Sequence, residues 1–212
     1  GGEGGGHTGP VPTSILLPQI VDAIGGKVPV IAAGGFYDGR GLVAALAYGA
    51  DAIAMGTRFL LTSDSSVPDE VKQLYLGRAV TDTVVTTRVD GVPHRVLRTE
   101  LVEQLESTSN RLTSLPKALA NAQRFKGMTG VSFRDMWREG NAMRRAMDLS
   151  WSQMIMAANT PMLLKAGLVD GNTESGVLAS GQVVGVLDDL PSCDELVARI
   201  MSEAETTLAR LR

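Results

Sequence analysis

The sequence predicts an α/β fold that is built around a parallel sheet. Two short apolar segments, "VPVIAA" (28–33) and "DAIAMG" (51–56), have the continuous hydrophobic composition of strands that are buried on both faces. The alanine-rich segment between them has the pattern of a helix. A strand, a helix and a second strand within about thirty residues are typical of a parallel β-α-β unit.

The helices of this first region have recognisable starts and stops. The segment "LLPQIVDAI" (16–24) places apolar residues at helical spacing, and the glycines that follow it favour a helix end. In "DGRGLVAALAYGA" (38–50), Asp38 is a candidate N-cap and Gly49 is a candidate stop. The sequence therefore predicts one helix before the first strand and another between the two strands.

Beyond residue 60 the pattern shifts towards helices. "DEVKQLYLG" (69–77) predicts a short helix, and "DTVVTTRVDGVPHRVLRT" (82–99) predicts two extended segments joined by a tight turn at "DGVP". From residue 100 onwards we predict mainly helical segments, namely "ELVEQLE", "LPKALANAQRF", "FRDMWREGNAMRRAMDL", "WSQMIMA", "SGVLASGQVVGVLDDL" and "CDELVARIMSEAETTLARL".

Composition and charge exclude several classes of partner. The 212 residues are 44% hydrophobic, which is enough for a buried core, and their net charge of -3 gives no reason to expect a nucleic-acid partner. No apolar run approaches the roughly 18 residues that cross a bilayer, so we expect no membrane partner. The lone Cys193 cannot form an internal disulfide, which fits a cytoplasmic protein, and it offers no cysteine-based metal site. We expect no metal.

Glycines follow both predicted strands at their carboxyl ends. Gly34 and Gly35 follow the first strand, and Gly56 and Thr57 follow the second. Such glycines let backbone N–H groups approach an anion, and consecutive glycine loops hold a phosphate after the seventh and eighth strands of (β/α)8 barrels. Tight turns between strand and helix are the alternative reason for these glycines. The two loops together, with the Thr57 hydroxyl as a further donor, favour a phosphate site in the C-terminal part of a (β/α)8 TIM barrel.

Several motifs resemble one family of enzymes. "GGEGGGHTG" (1–9) and the stretch from "VPVIAAGG" to "GTRFL" (28–60) resemble the second half of the FMN-dependent barrel enzymes of the nitronate monooxygenase, or 2-nitropropane dioxygenase-like, family. "SGVLASGQVVGVLDDLP" (175–191) is similar to the family's C-terminal Ala-Gly-Gln segment. The family pattern Glu-Ala-Gly-Gly-His-x-Gly, with glycine in place of the alanine, matches Glu3, Gly5, Gly6, His7 and Gly9.

Two further stretches resemble a single actinobacterial branch of that family. They are "TTRVDGVPHRVLRTELVEQLE" (86–106) and "AANTPMLLKAGLVDGNTESG" (157–176). The branch is a flavin oxidoreductase associated with degradation of the last steroid rings as CoA thioesters. The resemblance implies an FMN-dependent oxidoreductase that acts on a carbonyl or acyl-CoA substrate, and it leaves NAD(P)H open as an electron donor.

The resemblance also implies roles for individual residues. His7 would be the catalytic acid or base, because an imidazole can take or deliver a proton near neutral pH. A histidine that only hydrogen-bonds the backbone is the alternative. Gln182 would contact substrate. The residues implied in binding FMN are Gly5, Gly6, Gly34, Gly35, Met55, Gly56 and Thr57.

Two other titratable side chains lie near these motifs. Glu3 is either a second acid-base group or a carboxylate that satisfies N–H groups of a turn. We expect His94, in "VPHRV", to lie at the surface or at an interface.

The chain is expected to have three regions. We predict C-terminal βα units of an FMN-binding barrel over 1–62, an extension with a short helix and extended segments over 63–110, and a helical cap that returns to the barrel over 111–212. Two parallel strands need further strands beside them, so we expect roughly 140 to 170 residues before Gly1 that supply about six βα units. A homo-oligomer stays open.

Three other functions also stay open. The first is a nitronate monooxygenase, which oxidises alkyl nitronates with O2. The second is a non-catalytic half-barrel module that binds a phosphate ligand. The third is a barrel enzyme that binds a phosphorylated metabolite in place of FMN, because a fold by itself does not determine function.

Overall fold

A computed structural model of the chain describes residues 1–107 and 160–212. The predicted helical segments "LPKALANAQRF", "FRDMWREGNAMRRAMDL" and "WSQMIMA" lie outside these described residues. Within the two described ranges, every helix is too short or too polar to cross a lipid bilayer.

The chain packs as two compact units. The first unit consists of Gly1–Val85, Arg95–Leu97 and Ala179–Arg212, and the second consists of Thr86–His94 and Arg98–Leu178. The first unit therefore contains the residues from both ends of the chain, and all the residues of the predicted site lie in it.

Strands and helices alternate through the first third of the chain. The strands are β1 (Gly6–His7), β2 (Ile31–Ala33), β3 (Ala52–Ala54), β4 (Thr83–Thr86) and β5 (His94–Leu97). The helices of the described residues are α1 (Thr13–Ile24), α2 (Gly39–Ala47), α3 (Thr57–Leu60), α4 (Asp69–Tyr75), α5 (Glu100–Ser107), α6 (Thr160–Leu168) and α7 (Cys193–Leu211). The short 3₁₀ turns are Val80–Asp82 and Gln182–Val186.

β2, α2 and β3 form the predicted parallel β-α-β unit. β2 and β3 pair in parallel, with Ile31 opposite Ala52. The N-cap prediction is also confirmed, because the Asp38 carboxylate accepts a hydrogen bond of 2.8 Å from the Gly41 N–H at the start of α2. The two extended segments predicted over 82–99 are β4 and β5, which form a three-stranded sheet with β1 in the order β1-β5-β4.

The strand β2 is buried on one face only, so the expectation of burial on both faces is wrong. Ala32 is 3% exposed, whereas its neighbour Ile31 is 63% exposed. The physical reason is that α1 and α2 cover the Ala32 side of this two-stranded sheet, and among the described residues no layer covers the other side. The core cluster on the covered side consists of Leu17, Ala32, Phe36, Ala45 and Ala50.

The C-terminal helix α7 packs closely against α2, and Gly39 makes this approach possible. A Cβ at Gly39 would lie 2.4 Å from the backbone N of Ala204 and 2.4 Å from the backbone O of Ile200, so a larger residue would push the helices apart. Glu203 adds a hydrogen bond, because its Oε2 accepts from the Gly39 N–H at 2.9 Å. The helix predicted over "CDELVARIMSEAETTLARL" is thus confirmed and anchors the end of the chain to the β-α-β unit.

The segment "SGVLASGQVVGVLDDL" is not a regular helix, contrary to the prediction. Ala179 forms an antiparallel bridge with Val96, and only Gln182–Val186 is helical, as a 3₁₀ turn. Close backbone contacts hold the segment in this shape, since a Cβ at Gly185 would lie 2.0 Å from the backbone N of Val80. Its apolar spacing therefore reflects burial against distant residues and not the period of a helix.

The second unit contains a buried pair of titratable side chains. Asp90 and His94 are each 1% exposed, and the carboxylate Oδ2 of Asp90 lies 3.7 Å from Nδ1 of His94. Asp90 also accepts hydrogen bonds from the Val92 N–H at 3.0 Å and from the Thr160 hydroxyl at 2.9 Å. The expectation that His94 lies at the surface or at an interface is therefore wrong, because its side chain is buried beside the Asp90 carboxylate.

Candidate active site

The opening segment, residues 1–9, is anchored by Glu3. The Glu3 carboxylate accepts hydrogen bonds from the backbone N–H of Thr13 at 3.1 and 3.0 Å and from the Thr13 hydroxyl at 2.8 Å. Partial burial raises the pKa of Glu3, but the hydrogen bonds from Thr13 and from the backbone of Glu3, together with the positive charge of the Gly1 amine, hold the pKa below its ordinary value. Of the two interpretations of Glu3, the structure supports a carboxylate that satisfies N–H groups, here at the start of α1.

Replacing Glu3 with alanine should lower the free energy of unfolding at neutral pH by about 1 kcal/mol, the usual cost of losing a helix-start acceptor. The folded-state pKa is lowered, so this stabilisation is present above the ordinary value of 4.5 and is lost as the pH falls through the folded-state value. Urea unfolding of the parent and Glu3→Ala proteins at decreasing pH measures this difference. A difference that does not shrink with acidification would contradict the assignment.

Two glycines of the predicted site have a packing role within the chain. Gly34 has a φ of +101°, and a Cβ there would lie 3.0 Å from the Gly1 nitrogen and 3.2 Å from the Gly4 nitrogen. A Cβ at Gly5 would lie 2.5 Å from the carbonyl carbon of Ser180. Close approach of the backbone is therefore a sufficient physical reason for glycine at both Gly5 and Gly34.

The backbone conformation at positions 35 and 6 requires glycine. Their φ angles are +84° and +74°, a region that residues with a Cβ rarely adopt. A Cβ added at Gly35 would lie 3.5 Å from the Glu3 side chain. The loop after β2 therefore packs against the opening segment. A substitution at either glycine would therefore strain the backbone as well as alter any ligand contact.

Gly56 differs from the other predicted cofactor glycines. Its φ is −86°, which any residue can adopt, and among the described residues no atom beyond Gly56 and its two chain neighbours lies within 4 Å of a Cβ placed there. Neither conformation nor packing in the described chain explains the glycine, so the space beside it is open for a ligand. The preceding Met55 is half-buried and packs against the core cluster.

Segment 180–182 connects the opening segment to the start of α3. The Gly181 N–H donates to the Thr57 hydroxyl oxygen at 2.9 Å, and the Gln182 N–H donates to the Glu3 carbonyl oxygen at 3.0 Å. The structure thus places Thr57 beside segment 180–182, which contains Gln182. Ser180 is fully buried, and it is the Gly181 amide that makes the contact to Thr57.

Arg95 is a structural residue of the site that sequence reasoning missed. Its guanidinium donates to the Gly2 carbonyl through Nε at 3.2 Å and Nη2 at 2.9 Å, and to the Thr83 hydroxyl through Nη1 at 2.9 Å. Partial burial lowers the pKa of Arg95, and the Glu3 carboxylate opposes that shift. Gly2 and Arg95 are 93 positions apart, so no local pattern could have indicated this contact.

His7 lies at the end of the opening segment, on the short strand β1, and its side chain is exposed. β1 is an edge strand of the three-stranded sheet, next to β5. Exposure leaves the imidazole accessible to a ligand, which an acid or base that meets substrate requires. Its role in proton transfer stays a prediction.

Comparison with known proteins relates this arrangement to one family. The family model described as nitronate monooxygenase matches residues 1–203. The chain is 66% identical over 209 residues to a (3aS,4S,5R,7aS)-5-hydroxy-7a-methyl-1-oxo-octahydro-1H-indene-4-carboxyl-CoA dehydrogenase of Mycobacterium tuberculosis, covering 98% of the chain and 59% of that protein. It is 61% identical over 204 residues to a dehydrogenase of the same name from Rhodococcus jostii, covering 96% of the chain and 57% of that protein.

A more distant relative is a probable nitronate monooxygenase of Staphylococcus saprophyticus. It is 36% identical over 137 residues, which cover 58% of the chain and 38% of that protein. The chain spans less than three-fifths of the length of each of these curated relatives.

Solved structures agree with this assignment. FabK from Thermotoga maritima matches with a TM-score of 0.70 and 29% identity, over 100% of the chain and 55% of that protein. A nitroalkane oxidase from Streptomyces ansochromogenes matches with a TM-score of 0.65 and 24% identity, over 99% of the chain and 51% of that protein, and shows the fold alone. The predicted fold class, the C-terminal part of a TIM barrel, is confirmed, and the chain belongs to the nitronate monooxygenase family.

Proposed function

We propose that this chain carries the C-terminal part of an FMN-dependent oxidoreductase whose substrate is a CoA thioester derived from a steroid ring. The observation that carries the proposal is the similarity to the two actinobacterial dehydrogenases described above, which covers 98% and 96% of this chain. A CoA thioester is a cytoplasmic metabolite, so the proposal includes a cytoplasmic location.

The residues present fit a phosphate-bearing cofactor. Gly56 is exposed, and beyond its two chain neighbours no described atom lies within 4 Å of a Cβ placed there, so a phosphate could approach its backbone beside the buried Thr57 hydroxyl. Gly34, Gly35, Gly56 and Thr57 would hold the phosphate of FMN. The residues that would approach the flavin ring are Gly5, Gly6 and Met55. Bound flavin would supply the two-electron acceptor that a dehydrogenation needs.

His7 would move the proton that the substrate loses. The substrate named for the two dehydrogenases carries a hydroxyl on the carbon next to the one that bears the thioester. Oxidation of such an alcohol to a ketone releases the hydroxyl proton, and the thioester also acidifies the proton on the adjacent carbon. An exposed imidazole can accept either proton near neutral pH. The Gln182 amide would orient a substrate oxygen. NAD(P)H would serve as the electron donor only if the enzyme works as a reductase.

Nitronate oxidation is the second candidate function. The description of the matching family model and the Staphylococcus relative favour it. In that reaction the substrate is an alkyl nitronate and O2 is the oxidant. His7 would then interact with the nitronate carbon or its oxygens.

Anaerobic reduction of the bound cofactor distinguishes these functions. The protein is expressed from its complete open reading frame, its visible spectrum is recorded, and the released cofactor is identified by mass. We expect FMN that is bleached by the 5-hydroxy-indene-carboxyl-CoA thioester but not by the matched thioester without the hydroxyl group. Bleaching by propyl-2-nitronate alone would instead establish the second function. A folded protein without flavin would favour a non-catalytic module or a different phosphorylated ligand.

A further inference from the structure

We propose that Gly181 is a positioning residue, whose N–H orients the Thr57 hydroxyl so that this hydroxyl donates to the cofactor phosphate. The proposal rests on the proposed function, since it assigns the cofactor's phosphate to the space beside Gly56. It adds a role for segment 180–182, which would link the phosphate position to the opening segment that carries His7.

The Thr57 hydroxyl can donate one hydrogen bond in addition to the one that it accepts. Thr57 is 8% exposed, and its Oγ1 accepts the Gly181 N–H at 2.9 Å. A threonine hydroxyl has a single hydrogen to donate, and an oxygen that already accepts an N–H must direct that hydrogen elsewhere. Within residues 1–107 and 160–212 the structure records no acceptor for it. A buried donor of this kind is costly unless a ligand pairs with it.

Space for such a ligand lies beside Gly56. Gly56 precedes Thr57 directly, and beyond Met55 and Thr57 no described residue has an atom within 4 Å of a Cβ placed at Gly56. A phosphate oxygen is a charged acceptor, so a hydrogen bond from the Thr57 hydroxyl to it would be of the stronger kind. The Thr57 hydroxyl, for which the described residues offer no acceptor, and the open space beside Gly56 therefore point to the same ligand chemistry.

The position of Gly181 is tightly constrained. A Cβ at Gly181 would lie 3.0 Å from the Glu3 carbonyl oxygen and 3.3 Å from the Gly5 nitrogen. The fully buried Tyr75 donates its hydroxyl to the Ala179 carbonyl at 2.8 Å and so fixes the preceding residues. An amide held on both sides can keep the Thr57 oxygen in a single orientation.

It follows that the phosphate position and the opening segment share one peptide. Gly181 contacts Thr57, and the next amide, that of Gln182, contacts the carbonyl of Glu3. A substitution at Thr57 should therefore change the order of segment 180–182. Cofactor binding should also order that segment in the parent protein.

The test measures FMN affinity in a double-mutant cycle. Apoprotein is titrated with FMN by fluorescence for the parent, Thr57→Val, Gly181→Ala and the double variant, with Thr57→Ser as the matched control. We expect Thr57→Val to weaken FMN binding about tenfold or more, the usual effect of losing a hydrogen bond to a charged group, and Thr57→Ser to bind within about threefold of the parent. Gly181→Ala should weaken binding in the parent and add nothing in the Thr57→Val background.

Hydrogen exchange supplies a second readout that does not require a variant at Gly181. FMN, or inorganic phosphate as the minimal probe, should slow amide exchange in residues 179–187 of the parent and of Thr57→Ser, but not of Thr57→Val at saturating ligand. Equal FMN affinity of Thr57→Val and the parent, an equal effect of Gly181→Ala in both backgrounds, or unchanged exchange would overturn the proposal. If phosphate slows amide exchange in residues 179–187 of a protein that binds no flavin, the positioning role of Gly181 is supported and the proposed function is refuted.

Discussion

Replacing His7 with alanine is expected to slow substrate-dependent flavin reduction by about 10²- to 10⁴-fold, the usual contribution of a positioned acid or base. Flavin content should stay nearly unchanged, because the phosphate is assigned to the loops at Gly34, Gly35, Gly56 and Thr57. The substitution would thus slow flavin reduction without weakening flavin binding. Anaerobic stopped-flow absorbance, with the CoA thioester as reductant, measures the rate directly.

The second histidine provides the matched control. His94 is buried beside Asp90 in the second unit, so His94→Ala should lower the thermal unfolding midpoint through loss of packing. A His7→Ala protein that loses stability or flavin instead of rate would behave as a structural variant. A reduction rate within about threefold of the parent would remove His7 from the mechanism.

Replacing Gly56 with valine is expected to lower flavin occupancy about tenfold or more without unfolding the protein. The added side chain would fill the space assigned to the phosphate and displace hydrogen bonds to a charged group. The backbone at Gly56 has a φ of −86°, and beyond its two chain neighbours no described atom lies within 4 Å of the new Cβ, so the fold should tolerate the change. Absorbance of the purified protein gives the occupancy, and circular dichroism confirms folding.

Comparison with other glycine variants makes this test specific. Gly56→Ala, which adds a single methyl group, should give an intermediate occupancy. Gly35→Val is a poor test of the same idea, because a φ of +84° penalises any side chain and would lower stability together with cofactor content. Full flavin occupancy in Gly56→Val would refute the assignment of the phosphate to this place.

Short-range patterns explain what the sequence alone could predict. The β-α-β unit, the cap at Asp38 and the helix α7 each depend on residues within a few positions of one another, and each is confirmed. The family resemblance likewise rests on contiguous motifs, chiefly the opening segment. Local propensity and hydrophobic spacing are properties of a window of about eleven to eighteen residues, so they can be read without the fold.

The predictions that are wrong concern features that depend on contacts between residues distant in the sequence. "SGVLASGQVVGVLDDL" has apolar residues at intervals that suit a helix, yet a bridge to Val96 and the close approach at Gly185 hold it in another conformation. The burial of the strand over 28–33 and of His94 also differs from the expectation, because burial depends on which layers cover a residue and not on its own type.

The tertiary structure alone decided how the candidate site is assembled. It separates glycines that backbone packing requires, such as Gly5 and Gly34, from Gly56, which it leaves open. It also joins Thr57 to Gly181 across 124 positions of the chain. The sequence by itself determined the family motifs and the local elements, whereas contacts over such separations arise only when the packed core brings distant segments within hydrogen-bonding distance, which no local pattern encodes.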